Sequence, residues 1–263
     1  MDAAERRAAA ESLLGAYRGQ PIGPLTQTYR GITPEDAYVI QQLQVERWKA
    51  DGRVIKGHKV GLTARVMQRQ LGVDQPDYGH LMDNMIVLEG QPLRMSDFVS
   101  PKVEPEIAFV LGSSVVGPGV TVPDAISAVD YVLPALEIID SRIADWRITL
   151  ADTIADNASS GAVVLGSRPV RLGDLDLRLT GCVLSVDGQV VGTGAGGAVL
   201  GSPIHALAWL ANTLGRLGVG LEAGQVVIPG SLTAAHPLAP GSVVTATFAH
   251  LGTLTTRMER VAQ

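Results

Sequence analysis

The pattern of apolar and polar positions divides the chain into a helical first part and a β-rich remainder. Residues 3–18 form an alanine-rich amphipathic stretch. The segment TPEDAYVIQQLQVERWKADG begins at Thr33 with a helix N-cap, a proline and acidic residues in its first turn, and Gly52 ends it. A further helix is predicted over residues 63–70. The pattern therefore predicts an N-terminal helical region over residues 1–75.

Residues 76–263 alternate short apolar runs with Gly, Pro and Asp-Gly turns, which is typical of strands. Asp187-Gly188 in CVLSVDGQVV predicts a tight hairpin. Two helices interrupt the strands, one over residues 123–132 and one that begins at Ser202, followed by a proline. The sequence thus predicts an α+β protein, in which the helical region packs on a β-rich catalytic domain.

The strand-like stretch VEPEIAFV, residues 103–110, contains two glutamates within an apolar run. Because side chains alternate along a strand, Glu104 and Glu106 lie on one face, roughly 6.6 Å apart. Buried carboxylates are costly unless they are paired or bind a cation. The alternative is a solvated edge strand, which Pro105 favours because proline cannot donate to a central ladder.

A third glutamate, Glu137, lies in the apolar segment YVLPALEIIDSR, with Asp140 on the opposite face. Glu104, Glu106 and Glu137 together form an all-oxygen set of the kind that hard divalent cations prefer. Mg²⁺ or Mn²⁺ is the expected ion. Neither strand contains a histidine, which argues against zinc, and packing or surface roles are expected for the histidines elsewhere.

Lys59 in VIKGHKVGLT is the candidate cationic group. Alternation places it on one strand face with Ile55, Gly57 and Gly61, so that the glycines are expected to leave space for a ligand. A partly desolvated lysine there could transfer protons or offset the glutamates. A surface lysine in a glycine-rich turn is the alternative.

Two further segments contain groups that could bind a substrate. DQPDYGHLMDNM has the composition of a polar loop and includes Asp77. ADTIADNASSG places Asn157 and Ser159 before an apolar strand, which suits a substrate carboxylate or a helix cap equally. GTGAGG, residues 192–197, satisfies G-x-G-x-x-G but follows a hairpin, so we predict a glycine-rich loop and no dinucleotide site.

Composition narrows the function classes. The 263 residues are 46% hydrophobic and 18% charged, as in a globular protein. The net charge of -5 gives no reason to expect nucleic acid or an anionic membrane as a partner. We expect a cytoplasmic protein, since the N-terminus lacks the apolar core of a signal peptide. The single cysteine, Cys182, lies in an apolar strand pattern and is expected to pack in the core.

Five segments in order resemble one known family over nearly the whole chain. They are GHKVGLT, LGVDQPDYGHLMD, VEPEIAFVLG, LPALEIIDSRIADW and DTIADNASSG. Together they are similar to the 2-keto-4-pentenoate hydratases of aromatic-compound catabolism, which belong with the 4-oxalocrotonate decarboxylases in the fumarylacetoacetate hydrolase superfamily. The resemblance implies a mixed β-roll or sandwich core with helices outside, assembled into homo-oligomers, often pentamers or decamers.

The resemblance also implies residue roles. A divalent metal would be held by the three glutamates, and Lys59 and Asp77 match the catalytic lysine and aspartate. Ser159 matches a substrate contact, and we assign Asn157 and Leu81 to the same role. The family commonly has Val or Ala where this chain has proline between the first two glutamates.

The implied activity is that of a hydro-lyase. It adds water to 2-hydroxypenta-2,4-dienoate and gives 4-hydroxy-2-oxopentanoate. Decarboxylation of a 2-oxo-hexenedioate is the closest alternative, and hydrolysis of a fumarylpyruvate-like diketone is the next. From other classes there remain a nucleotide-dependent oxidoreductase and a non-catalytic partner of a pathway decarboxylase or aldolase. SRIADW, followed without insertion by TLADT, favours the hydratase.

Overall fold

The computed structural model describes residues 1–17, 20–65, 68–69 and 72–260. Its first elements are helical, as predicted. The helices are α1 (Ala3–Ala16), α2 (Leu25–Thr28), α3 (Pro34–Ala50), α4 (Val122–Ala128), α5 (Leu150–Ala155) and α6 (Pro203–Gly215). Thr33 caps α3 by accepting a hydrogen bond from the Asp36 N–H, as the sequence predicts.

The strands all come after α3 and alternate with the later helices along the chain. They are β1 (Ile55–Gly61), β2 (Asp77–Met82), β3 (Ile86–Leu88), β4 (Lys102–Leu111), β5 (Val129–Ile139), β6 (Ser160–Leu165), β7 (Gly181–Val186), β8 (Gln189–Ala195), β9 (Val226–Ile228), β10 (His236–Pro237), β11 (Val243–Phe248) and β12 (Gly252–Arg257).

These strands form two sheets. The larger has the order β2-β1-β9-β4-β5-β6-β3, with β10 also paired to β4. It is mixed, since β1 runs parallel to β9 and β3 parallel to β6, while β4 and β5 form a long antiparallel pair. The smaller sheet has the order β12-β11-β7-β8. This arrangement of helices with a mixed sheet and a second sheet is the predicted α+β class.

The main core fills the space between the two sheets and α6. One face of β4 supplies Ile107 and Phe109, the smaller sheet supplies Leu184 and Ala246, and α6 supplies Leu207, all of them buried. Burial of such side chains contributes roughly 1.5–3 kcal/mol each. Because alternate residues of β4 point into this core, the intervening ones face the opposite side, where the glutamates lie.

The N-terminal helices share a second, smaller core with α5. Leu13 of α1, Ile40 of α3 and Ile154 of α5 pack together there. The division at residue 75 remains a prediction. The structure places β1 within the larger sheet, so the predicted N-terminal region contributes a strand to that sheet as well as its helices.

The remaining element predictions have mixed outcomes. The Asp187-Gly188 hairpin is confirmed, with both residues at positive φ between β7 and β8. The helix predicted over 123–132 ends at Ala128, because the following residues pair with β4 as β5. The helix over 63–70 lies partly outside the described residues. Cys182 is buried in the core, as expected.

Within the described residues, the helices are too short or too polar to span a membrane.

Candidate active site

Strand β4 is internal to the sheet, so the edge-strand interpretation of VEPEIAFV is wrong. It pairs with β5 along its length and with β9 and β10 on its other side. Pro105 O accepts a hydrogen bond from Leu232 N on that other side, at 3.0 Å. The nitrogen of a strand residue points the same way as its carbonyl, so the missing donor of Pro105 costs no bond to β5.

The pairing of β4 with β5 brings the three predicted glutamates together. Glu104 lies directly opposite Glu137, and Glu106 lies one same-face position further along β4. One carboxylate oxygen from each lies within 4.8 Å of the others. Glu106 and Glu137 are only 1% exposed, and Glu104 is partly buried. The sequence-predicted ligand set is therefore a single cluster at one face of the sheet.

A backbone amide orients one of these carboxylates. The Gly230 N–H donates to Glu106 Oε2 at 2.7 Å. Gly230 adopts a φ of +122°, which side chains rarely allow, and a Cβ there would overlap Thr63 Oγ1. The glycine thus lets the chain after β9 approach closely enough to bind Glu106.

The electrostatics of the cluster suit a divalent cation. Glu106 Oε1 and both carboxylate oxygens of Glu137 accept no hydrogen bond, although they are buried. Burial, then the charge of Glu137, raises the pKa of Glu104 to about 7, and burial raises the pKa of Glu106 well above its ordinary value. Three carboxylates that resist ionisation together, with free lone pairs, fit the oxygen-ligand preference of Mg²⁺, Mn²⁺ or Ca²⁺.

Lys59 of β1 completes the cluster from the neighbouring strands. It is 4% exposed, and its Nζ lies 3.3 Å from Glu137 Oε1 and donates to Ala158 O at 2.9 Å. Burial, the largest single influence, lowers the pKa of Lys59, but the negative charges of Glu137, Asp77 and the other two glutamates together raise it above its ordinary value. The lysine is therefore a buried ammonium group, and the surface-lysine interpretation is wrong.

Asp77 begins β2 opposite Gly61. A Cβ on Gly61 would overlap Asp77 Oδ1 and lie 3.5 Å from Lys59 Nζ, so the two functional groups meet above this glycine. Asp77 Oδ1 is buried without a hydrogen-bond partner, and burial raises the pKa of Asp77 while Lys59 lowers it. A carboxyl group with a raised pKa beside an ammonium group is suited to proton transfer.

The glycines beside Lys59 accommodate the protein itself. A Cβ on Gly57 would overlap the Val226 carbonyl, and the space above Gly61 contains the Asp77 carboxylate. The prediction that these glycines leave space for a ligand is wrong, because neighbouring strands approach at those positions. DQPDYGHLMDNM likewise contains a fully buried strand, β2, instead of being only a polar loop.

The three residues assigned to substrate binding lie near the cluster in different environments. Leu81 of β2 is buried in an apolar group with Ala108 and Ala135. The side chain of Asn157 accepts from His80 N and donates to His80 O, at 2.8 and 2.9 Å. The Ser159 hydroxyl lies 3.2 Å from Thr153 Oγ1. Their roles as substrate contacts stay predictions.

His58 and His80 take the packing role that the sequence favours for the histidines. Their rings lie in the interior with centroids 5.0 Å apart and planes tilted by 54°. The loop predicted for GTGAGG is wrong over residues 192–195, which pair with β7 as part of β8, and only Gly196 and Gly197 lie in the turn after it. A Cβ on Gly194 would overlap the Leu232 carbonyl, and one on Gly196 would overlap the Leu177 carbonyl. Close backbone contact explains these glycines.

Two contributors to the site were missed from the sequence. Gly230 and the Ala158 carbonyl both act through backbone atoms, so side-chain chemistry does not reveal them. The Pro-Gly pair after an apolar strand signals a turn at Gly230, but its pairing with Glu106 depends on tertiary packing.

Comparisons with known proteins show which family the chain belongs to. The family model "Fumarylacetoacetate (FAA) hydrolase C-terminal" matches residues 52–259. The 2-keto-4-pentenoate hydratase of Paraburkholderia xenovorans (strain LB400) and 2-keto-4-pentenoate hydratase 3 of Pseudomonas putida are each 46% identical over 256 residues, which are 97% of this chain and 95% of theirs.

Among solved structures, 4-oxalocrotonate decarboxylase from Pseudomonas putida G7, complexed with magnesium and adipate, is 38% identical. It superposes with a TM-score of 0.95 over 98% of both chains. The family model matches most of the chain, and the hydratases align with nearly all of it. These two matches establish the family. The chain belongs to the fumarylacetoacetate hydrolase superfamily and, within it, to the family of the 2-keto-4-pentenoate hydratases.

Proposed function

We propose that the protein is a metal-dependent hydro-lyase that adds water to 2-hydroxypenta-2,4-dienoate and forms 4-hydroxy-2-oxopentanoate. The observation that carries this proposal is the buried carboxylate cluster with Lys59 and Asp77 beside it, in a chain 46% identical to named 2-keto-4-pentenoate hydratases over 97% of its length. The reaction places it in aromatic-compound catabolism.

The metal is proposed to be Mg²⁺ or Mn²⁺, held by Glu104, Glu106 and Glu137. The related decarboxylase was solved with magnesium and adipate, and also with calcium and acetate. When bound, such a cation supplies a Lewis acid that stabilises negative charge on the 2-oxygen of a chelated 2-hydroxy acid. Glu106 is held in place for this role by the Gly230 amide.

Lys59 and Asp77 are proposed to move the protons. Addition of water requires loss of the 2-hydroxyl proton as a proton is added at C5, and then loss of a proton from the water that attacks C4 as a proton is added at C3. Lys59 Nζ is a buried ammonium group and can donate. Asp77 Oδ1 has no hydrogen-bond partner in the structure and can accept the proton of the water that attacks C4.

The rest of the substrate is proposed to contact Leu81, Asn157 and Ser159. Leu81 belongs to the apolar group that borders the glutamates, which suits the hydrocarbon end of a short dienoate. Asn157 and Ser159 lie in the same turn as Ala158, whose carbonyl binds Lys59.

We also propose a homo-oligomer, a pentamer or a decamer, in the cytoplasm. Apolar side chains that are largely exposed on the single chain, such as Leu88 at 67%, Leu179 at 74% and Val190 at 63%, would be available to contacts between subunits. Association with a decarboxylase or an aldolase of the same pathway remains a prediction.

The second candidate is the decarboxylation of a 2-oxo-hexenedioate. It is favoured by the TM-score of 0.95 to the decarboxylase, which shares 38% of its residues with this chain. Both reactions need negative charge to be stabilised at the same 2-oxygen, so the fold does not separate them. The higher identity to the hydratases, over the same length, favours hydration.

A direct comparison of substrates tests this choice. Purified protein with Mg²⁺ would be given 2-hydroxypenta-2,4-dienoate and 2-oxo-3-hexenedioate separately, with products followed by proton NMR and CO₂ release. We expect 4-hydroxy-2-oxopentanoate from the first and no CO₂ from the second. CO₂ release without hydration would replace the proposed function by the decarboxylase.

A further inference from the structure

The turn between α5 and β6 holds the ammonium group of Lys59. Ala158 O accepts from Lys59 Nζ at 2.9 Å. Asn157, Ala158 and Ser159 have φ values of 52°, 50° and 54°. Three successive non-glycine residues in the left-handed region are uncommon, because the side chain crowds the backbone there. This turn therefore depends on contacts from outside to keep the Ala158 carbonyl in place.

Arg142 supplies such contacts at both ends of the turn. On the N-terminal side its Nε donates to Asp156 Oδ1 at 2.6 Å and its Nη2 donates to Asp156 O at 2.9 Å. On the C-terminal side its Nη1 donates to Ser160 O at 2.9 Å. The backbone N–H of Arg142 also donates to Asp156 Oδ2 at 2.9 Å. One planar guanidinium thus spans the turn.

The position of Arg142 along the chain links the two partners of Lys59. It lies three residues beyond the end of β5, the strand that carries Glu137. Glu137 Oε1 and Ala158 O are the groups nearest to Lys59 Nζ, at 3.3 and 2.9 Å. The segment from β5 to Arg142 therefore carries Glu137 itself and, through the guanidinium, fixes the turn that contains the Ala158 carbonyl.

The surroundings of Arg142 exclude a direct role in chemistry. It is 1% exposed, and its guanidinium lies 4.3 Å from the centroid of the Tyr17 ring. Its donors are directed at Asp156 and Ser160 and not at the glutamate cluster. A buried, fully paired cation of this kind would contribute to a reaction only through the groups that it orients.

We propose that Arg142 is a positioning residue that sets the place of Lys59 Nζ by holding the 156–160 turn. The inference rests on the proposed function for its kinetic consequence. It assigns a role in turnover to a residue that contacts neither the glutamates nor the substrate. We expect loss of the guanidinium to lower turnover only by displacing Lys59.

A double-mutant cycle of Arg142→Lys with Lys59→Met tests this proposal. Lysine keeps the positive charge but, with one ammonium group, cannot span the turn. We expect Arg142→Lys to lower kcat about tenfold with KM changed less than about twofold, as when only transition-state positioning is lost. In the Lys59→Met background the same change should lower residual turnover by less than about twofold.

A second readout does not need activity. Hydrogen exchange followed by mass spectrometry should show faster exchange in a peptide that covers residues 156–160 of Arg142→Lys, while the melting-temperature gain with Mg²⁺ stays as in wild type. Arg6→Lys is the matched control, because Arg6 pairs with Asp36 at 2.7 Å in the N-terminal helices. It should change neither kcat nor exchange in the turn. If Arg142→Lys fails to fold, Asp156→Asn tests the same pair from its other side.

The outcomes separate the two proposals. If the wild type does not hydrate the dienoate, the proposed function fails, and the exchange experiment alone decides whether Arg142 holds the turn. If the wild type is active and Arg142→Lys matches it in kcat and exchange, the positioning role is overturned. The positioning role would also be overturned if Arg142→Lys lowered turnover by the same factor in the wild-type and Lys59→Met backgrounds, because that pattern indicates a general structural effect.

Discussion

Replacement of Glu106 by glutamine probes the carboxylate cluster most directly. The side chain is 1% exposed, one oxygen accepts from the Gly230 amide, and the other has no hydrogen-bond partner. Glutamine has the same shape and keeps an acceptor for Gly230, but it removes one negative charge. The change therefore separates the charge of the cluster from its packing.

The magnitude follows from the geometry. Two unit charges 4.8 Å apart, the upper limit on the separation of the ligand atoms in the cluster, repel by about 3.5 kcal/mol at an effective dielectric constant of roughly 20. Protonation limits this cost, since burial raises the pKa of Glu106 well above its ordinary value. We therefore expect metal-free Glu106→Gln to be more stable than metal-free wild type by about 1–3 kcal/mol.

Bound metal, in contrast, should stabilise wild type more than it stabilises Glu106→Gln. A cation present at about 100 times its Kd stabilises the folded protein by roughly 2.7 kcal/mol. With an unfolding entropy of about 2.1 cal/mol/K per residue, the 263-residue chain gains about 5 °C in Tm. The variant loses one of its three ligands and should gain less than about 1 °C.

The assay is thermal unfolding in EDTA and in Mg²⁺ or Mn²⁺, for wild type and variant at equal concentration. Glu46→Gln is the matched control, because Glu46 pairs with Lys49 on the exposed side of α3. It should keep the full metal-dependent gain. If Glu106→Gln gained as much from metal as wild type does, the cluster would not be the metal site.

Three further predictions test the neighbouring groups. Lys59→Met should lower kcat by about 10²–10⁴ in steady-state assays while it keeps the metal-dependent gain in Tm, and turnover within tenfold of wild type would contradict its role. Gly61→Ala should lower kcat about a hundredfold by displacing Asp77. Gly15→Ala, where a Cβ meets nothing within 4 Å, is its control and should leave kcat unchanged. Burial lowers the pKa of His80 to about 4 in the folded protein. The free energy of unfolding, measured by urea titration, should therefore be about 2 kcal/mol lower at pH 5 than above about pH 6.5. His80→Phe should reduce this dependence of stability on pH, and an unchanged dependence would refute its attribution to His80.

The glutamate face could be predicted from the sequence because a strand has a period of two. That period alone places Glu104 and Glu106 on one side, and the register of β4 and β5 then puts Glu137 opposite. Proline argued for an edge strand, but its nitrogen points away from β5, which only the pairing reveals. The helix at 123–132 was predicted too long because pairing with β4 overrides local helical pattern after Ala128.

The surroundings of Lys59 could not be predicted in the same way. Its partners are a carbonyl in a turn and a carboxylate on another strand, brought together from distant parts of the chain. Arg142 gives no local signal, since its role depends on three hydrogen bonds to the 156–160 turn. Strand β2 lacks alternation because both of its faces are buried, so a period-two search passes over it.

We propose above that hydration by this protein depends on a cation held by the three glutamates. Metal-stripped protein would be mixed with freshly generated 2-hydroxypenta-2,4-dienoate, and the ultraviolet absorbance of the dienol followed before and after addition of Mg²⁺ or Mn²⁺. We expect loss of the dienol only after metal is added, with 4-hydroxy-2-oxopentanoate as the product. Equal loss in EDTA, or no loss with either metal, would contradict it.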